Sequence, residues 1–194
     1  MRPLTLRAAT TVSCLVVALS GLAAVHATAA ALPIDPTLFD ARGPQLRSFT
    51  KEVEIAVPAA RAYALWTDAA AWQQLMDPSG RANLDLEIGG RYEWLFDGKI
   101  GSNGCQVLSY IPDRMVSFTW NAPPDQATRE RRTWVVVETE ALTPTTTRVR
   151  LTHLGFGQGP DWDITYAYFD NAWGRVLPLM KGSLETAGKQ DASR

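Results

Sequence analysis

Apolar and polar positions alternate from Phe49 onward. Phe49, Val53, Ile55 and Val57 are interleaved with Thr50, Glu52, Glu54 and Ala56, the period-two pattern of a half-buried strand. Pro58 ends that strand and suits the first turn of a helix. The segments 59–68 and 69–76 then predict two short helices with a break near Thr67-Asp68, and Asp77-Pro78-Ser79-Gly80 is a turn cluster. Six strands follow. Leu84-Asp85-Leu86-Glu87-Ile88 alternates and is turned by Gly89-Gly90. The segment 91–96 puts Tyr92, Trp94 and Phe96 on one face. The segment 105–111 closes at Pro112-Asp113, and 115–120 aligns Val116, Phe118 and Trp120. A polar loop around Pro123-Pro124 leads into a Val- and Thr-rich strand over 133–141. The last strand alternates Val149, Leu151 and His153 with Arg148, Arg150 and Thr152. Sequential strands on short turns predict one antiparallel sheet.

The period changes after the glycine-rich loop 155–159, which has neither the spacing nor the strand context of a dinucleotide fingerprint. Tyr166, Phe169, Trp173, Leu177, Met180 and Leu184 recur at intervals of three or four, one apolar stripe on a helix from Pro160 to about Thr186. Asp161 and Asp163 sit near the positive end of its dipole and Lys181 toward the negative end. The helix would be roughly 39 Å long at 1.5 Å per residue. Pro178, opposed to the carbonyl of Gly174, predicts a kink. A single helix covers this many strands only if the sheet curves. The pattern therefore predicts an α+β domain over residues 48–188, a curved antiparallel sheet wrapped around the long C-terminal helix, with two short helices after the first strand. Residues 189–194 read as a disordered tail.

The first thirty residues carry a different signal. Arg2 and Arg7 precede an apolar run richest at Cys14-Leu15-Val16-Val17-Ala18-Leu19, and Ala27-Thr28-Ala29 offers an A-x-A site. This is the layout of a signal peptide over 1–29, with export to the periplasm or medium after cleavage at Ala29 and no membrane span afterwards. Residues 30–47, with Pro33, Pro36, Gly43 and Pro44, read as a linker.

Composition narrows the chemistry. The 194 residues are 46% apolar and 20% charged, with 19 basic against 20 acidic side chains. A formal net charge of −1 gives no field for gripping a phosphate backbone, so nucleic acid is not an expected partner. Cleavage would take the net charge to −3 and leave Cys105 and His153 as the single cysteine and histidine. An internal disulfide and a Cys/His zinc site are then excluded on count. No paired carboxylates or nucleophile elbow stand out, and no cofactor is expected. Seven Trp, five Tyr and six Phe point instead to a large apolar interior, a cavity, or both.

Element order and motifs together resemble the SRPBCC (START-like, birch-pollen-allergen-like) helix-grip superfamily, and within it the heat-shock-protein-90 ATPase activator homologues. The resemblance spans about residues 51–185. It is carried by Val53-x-Ile55-x-Val57-Pro58 leading to Trp66, by Leu86-x-x-Gly89-Gly90-Arg91-Tyr92-x-Trp94, and by Gly104-x-x-Val107-Leu108. It continues through Ile111-Pro112-x-Arg114-x-Val116-x-Phe118-x-Trp120, through Thr147-Arg148-Val149-x-Leu151-Thr152-His153-x-Gly155-Phe156, and through Tyr166-x-Tyr168-Phe169-x-x-Ala172-Trp173-x-x-x-Leu177. The resemblance implies a cavity between sheet and long helix, open to a hydrophobic ligand in many members; some members have become cyclases or hydrolases.

On this reading the protein binds a small hydrophobic or amphipathic molecule without catalysis. Tyr92, Trp94, Phe118, Trp120, Phe169, Trp173 and Leu177 would supply apolar contact, and His153, Tyr166 and Asp170 would orient the ligand. Each has a plainer reading beside it. The rings equally suit a filled core, His153 a satisfied histidine at the rim, and Asp170 an exposed helix-face acid. Arg129, Arg131 and Arg132 read as a solvated charge run, or as rim contacts for an acidic head group. The alternative functions are a cyclase- or hydrolase-like enzyme with His153 as acid or base, and a protein-interaction module with a closed core.

Overall fold

The computed structural model describes residues 46–76, 79–96 and 99–192, which fall within one compact unit. The expected signal peptide and the expected linker up to residue 45 lie outside the described residues. The order is β1 (Arg47–Ile55), α1 (Ala59–Thr67), α2 (Ala69–Met76), β2 (Arg81–Leu84), β3 (Tyr92–Phe96), β4 (Ile100–Gly101), β5 (Val107–Ile111), β6 (Met115–Asn121), β7 (Arg132–Thr143), β8 (Thr146–Phe156) and α3 (Pro160–Ala192). This is the expected α+β architecture, with a curved antiparallel sheet, two short helices after the first strand and a long C-terminal helix.

The strands do not form one continuous ladder. A five-stranded sheet runs β1-β8-β7-β6-β5 and a three-stranded one β2-β3-β4, joined by a single bridge between Arg91 and Gln106. The chain next to that bridge is irregular because Gly89 takes φ +83°. Its backbone groups still pair with β5 and the residues before it, Val107 N donating to Gly90 O at 2.8 Å and Tyr92 N to Cys105 O at 2.8 Å. The strand expected over 84–88 is also displaced, since β2 is Arg81–Leu84. Beyond it Asp85 accepts a forked pair of bonds from Arg91 at 2.7 and 3.3 Å, and Glu87 N donates to Asp85 O. This tight turn leaves Ile88 77% exposed. Local turn bonding outweighs the alternation.

Register separates the two faces of the larger sheet. Phe118 lies opposite Val135, Val135 opposite His153, and Val137 opposite Leu151, all buried. On the outer face Arg148 pairs with Glu54 and Glu140 at 3.1 and 3.0 Å, and Arg150 with Glu52 at 2.6 Å. The inner face packs against α3, whose Phe169, Trp173, Leu177, Met180 and Leu184 are buried. Tyr166, expected in that stripe, is half-buried at its flank. α1 and α2 fill the remaining end of the core with Trp66 and Trp72, ring centroids 4.9 Å apart. Asp68 divides the two helices by accepting from Ala71 N at 2.8 Å as the cap of α2.

α3 is longer than its apolar stripe. Its 33 residues continue to Ala192, through positions expected as a disordered tail. The residues after Leu184 are mostly good helix formers, and Gly188 costs only about 1 kcal/mol. The helix runs on either side of Pro178, and Asp161 and Asp163 occupy its first turn as expected. Among the described residues no helix is long and apolar enough to cross a membrane.

Candidate functional site

Several of the aromatic residues expected to line a cavity pack on one another. Tyr92 and Phe118 stack at 3.7 Å with 10° between their planes, and the Tyr92 hydroxyl donates to Trp66 O at 2.8 Å. Burial pushes that phenol well above its ordinary pKa. Trp66, which the sequence reading did not single out as a site residue, joins Phe118 and Trp173 at 6.5 and 6.0 Å. Leu177 is buried in the same cluster. These side chains pack between sheet and helix, and Tyr92, Phe118 and Leu177 do not line the pocket described below.

His153 is fully buried and both ring nitrogens are occupied. Trp173 Nε1 donates to His153 Nδ1 at 3.0 Å, which places the imidazole proton on Nε2. Nε2–H then donates to Thr133 Oγ1 at 2.8 Å, and Thr133 Oγ1 donates to Trp120 O at 3.1 Å. Phe49, Phe156 and Phe169 surround the ring, and burial pushes its pKa down to about 3. With no free nitrogen and no accessible proton, it is a structural histidine joining β7, β8 and α3. An enzyme using it as acid or base has nothing to work with.

The other two candidate orienting groups lie at the surface. Asp170 pairs with Lys51 at 2.7 Å. The Tyr166 hydroxyl reaches Ser48 O at 3.3 Å, its ring edge-on to Phe49 and beneath the guanidinium of Arg47. Neither is near the pocket described next.

An apolar pocket lies at the margin of the core. It is bounded by Met76 of α2, Trp94 and Phe96 of β3, Trp120 and Asn121 of β6, the loop 122–129, and one flank of α3. Its volume is about 90 Å³, or about 560 Å³ with the open mouth included. Pockets enclosing a drug-sized ligand usually run roughly 300–1,000 Å³. The enclosed part of the recess is smaller than that range. Of the ten expected residues it brings together Trp94, Trp120, Phe169 and Trp173. Residues not anticipated include Tyr168, Ala172 and Val176, a column at intervals of four beside the buried stripe, while Arg129, read from the sequence as a solvated charge or a rim contact, also lines the pocket.

Arg129 is half-buried. Its guanidinium donates to Ala122 O at 2.5 Å and to Asn103 Oδ1 at 3.2 Å, and no carboxylate pairs with it among the described residues. Cys105 lies behind this loop, fully buried, with its thiol pushed up to about 11 by burial. No group of three or more His, Cys, Asp or Glu side chains is placed to hold a metal ion among the described residues.

The model of the family described as Activator of Hsp90 ATPase homolog 1-like protein matches residues 56–185, more than half of the chain. The chain belongs to that family. The match runs from the end of β1 to the buried face of α3, and so includes every element around the pocket. Solved structures share the fold at low identity. A Mesorhizobium loti protein is 21% identical with a TM-score of 0.61, covering 72% of this chain and 98% of its own. An HSP90 activator from Plasmodium falciparum is 21% identical with a TM-score of 0.54, covering 68% and 88%. The Aha1 dimer from Colwellia psychrerythraea gives 18%, 0.56, 72% and 96%. No curated protein sequence matches this AHSA1-like chain.

Proposed function

We propose that this AHSA1-like chain is an exported binding protein that seats the apolar end of a small hydrophobic or amphipathic molecule in the pocket beside α3. The observation that carries the reading is an aromatic-walled recess left open at the edge of an otherwise filled core. Trp94, Trp120, Phe169 and Trp173 offer ring faces and edges to a guest of phenyl or branched-alkyl size, and exposed Phe96 and Tyr168 flank the mouth. Export follows from the order of charged, apolar and small residues in 1–29, and amino-terminal sequencing of periplasmic or secreted protein should begin at Ala30. Material starting at Met1 would count against it.

Binding is tested by titrating the purified protein with neutral aromatic and branched-chain compounds while following tryptophan fluorescence and melting temperature. A ligand at a hundred times its Kd stabilises the native state by about 2.7 kcal/mol. Val176→Trp, which crowds the recess from α3, should abolish the response. A second reading, a protein-interaction module, draws on the filled core and on the name of the Plasmodium falciparum neighbour. An exported chain would not meet a cytosolic ATP-driven chaperone, so the partner would be a different protein. Absence of both fluorescence and thermal response across the compounds would favour that module.

A further inference from the structure

Resting on the pocket reading above, we infer that the site selects a carboxylate: an acid with a small apolar body whose head group is held by Arg129. Hydrogen-bond donors gather there. The Trp94 indole N–H is buried and has no hydrogen-bond partner, in a side chain only 2% exposed that lines the pocket. Asn121, also lining it, accepts from Cys105 Sγ at 3.7 Å through Oδ1 and carries amide N–H donors on the same side chain. Arg129 completes the set as a half-buried guanidinium whose bonds go to a carbonyl and an amide oxygen, neither of them charged.

A half-buried cation with no carboxylate in ion-pair contact can gain one, and a carboxylate offers two oxygens that match the guanidinium fork. Burial and the nearby charge of Arg132 disfavour the ionised Arg129, Glu130 partly offsets them, and an incoming anion adds a second favourable charge. Trp66 and Trp72 also carry unpartnered indole N–H groups, but neither lines this recess, so they do not bear on selection. The aromatic walls set the body of the ligand and the donors set its head. A neutral amide of the same shape keeps the first set of contacts and loses the charge pairing.

Phenylacetate and phenylacetamide are the probes, compared on the full-length protein by calorimetry and tryptophan fluorescence. Phenylacetate should bind at least tenfold more tightly, and that preference should shrink as sodium chloride is raised. Arg129→Met should remove the preference while leaving phenylacetamide affinity within about twofold. Arg131→Met, the same charge change outside the pocket, should preserve it. Should Arg129→Met unfold the loop it braces, the comparison of the two probes on the unaltered protein still decides the matter. Equal binding of the two overturns the carboxylate assignment and leaves the apolar pocket standing. Binding of neither overturns both.

Discussion

His153 provides a stability prediction whose size follows from its surroundings. In the unfolded chain an imidazole takes a proton near pH 6.5. In the folded chain burial holds the pKa down at about 3, and both nitrogens are already engaged with Trp173 and Thr133. Above about pH 6.5 the ring is neutral in both states and its contribution to stability is fully present. As the pH falls toward about 3, only the unfolded state binds the proton, so stability is lost at about 1.4 kcal/mol per pH unit. Between pH 7 and pH 5 the loss is roughly 2 kcal/mol. His153→Gln cannot titrate. It should be less stable than the parent at pH 7, because it disturbs the bonds to Trp173 and Thr133. Urea unfolding of both proteins at several pH values, followed by tryptophan fluorescence, measures the gap between them. That gap should narrow by roughly 2 kcal/mol from pH 7 to pH 5, other titrating groups cancelling in the difference. A gap independent of pH would refute the assignment of a buried neutral imidazole.

Three further outcomes are expected. Trp173→Phe keeps a ring in the core but strips the donor from His153 Nδ1, and should cost about 1–3 kcal/mol in urea unfolding; an unchanged midpoint would place the indole N–H elsewhere. Gly101→Ala would drive a Cβ into the carbonyl oxygen of Trp94, so it should lower the melting temperature and disrupt the β3–β4 pairing, whereas an unaffected melt would mean the strands stand further apart. Cys105 should resist a thiol reagent at pH 8 in the native protein and react at once in denaturant, because it is buried and its pKa is raised to about 11; rapid native labelling would contradict that environment.

What the sequence determined by itself is the part of the molecule governed by periodicity. The period-two runs of β7 and β8 and the three–four stripe of α3 each state which face goes inward, and the buried residues of those elements follow them, whereas in β6 Ser117 and Asn121 are buried along with Val116, Phe118 and Trp120. The break at Asp68 was legible too, because a short acid between two helical runs is a cap. Where neighbouring side chains competed, periodicity misled. Leu86 and Ile88 continue an alternation that the Asp85–Arg91 pair folds into a turn. Only the tertiary structure decided whether aromatic residues would enclose a hole or fill it. Tyr92, Phe118, Trp66 and Trp173 come from separated segments, and their stacking depends on strand register and helix placement together. The same holds for His153, whose two partners lie on β7 and α3, and for Arg129, one of three neighbouring arginines until the fold sets it beside Trp94 and Asn121. A pattern along the chain encodes which face is apolar. It does not encode how closely two such faces meet, and that distance decides between core and pocket.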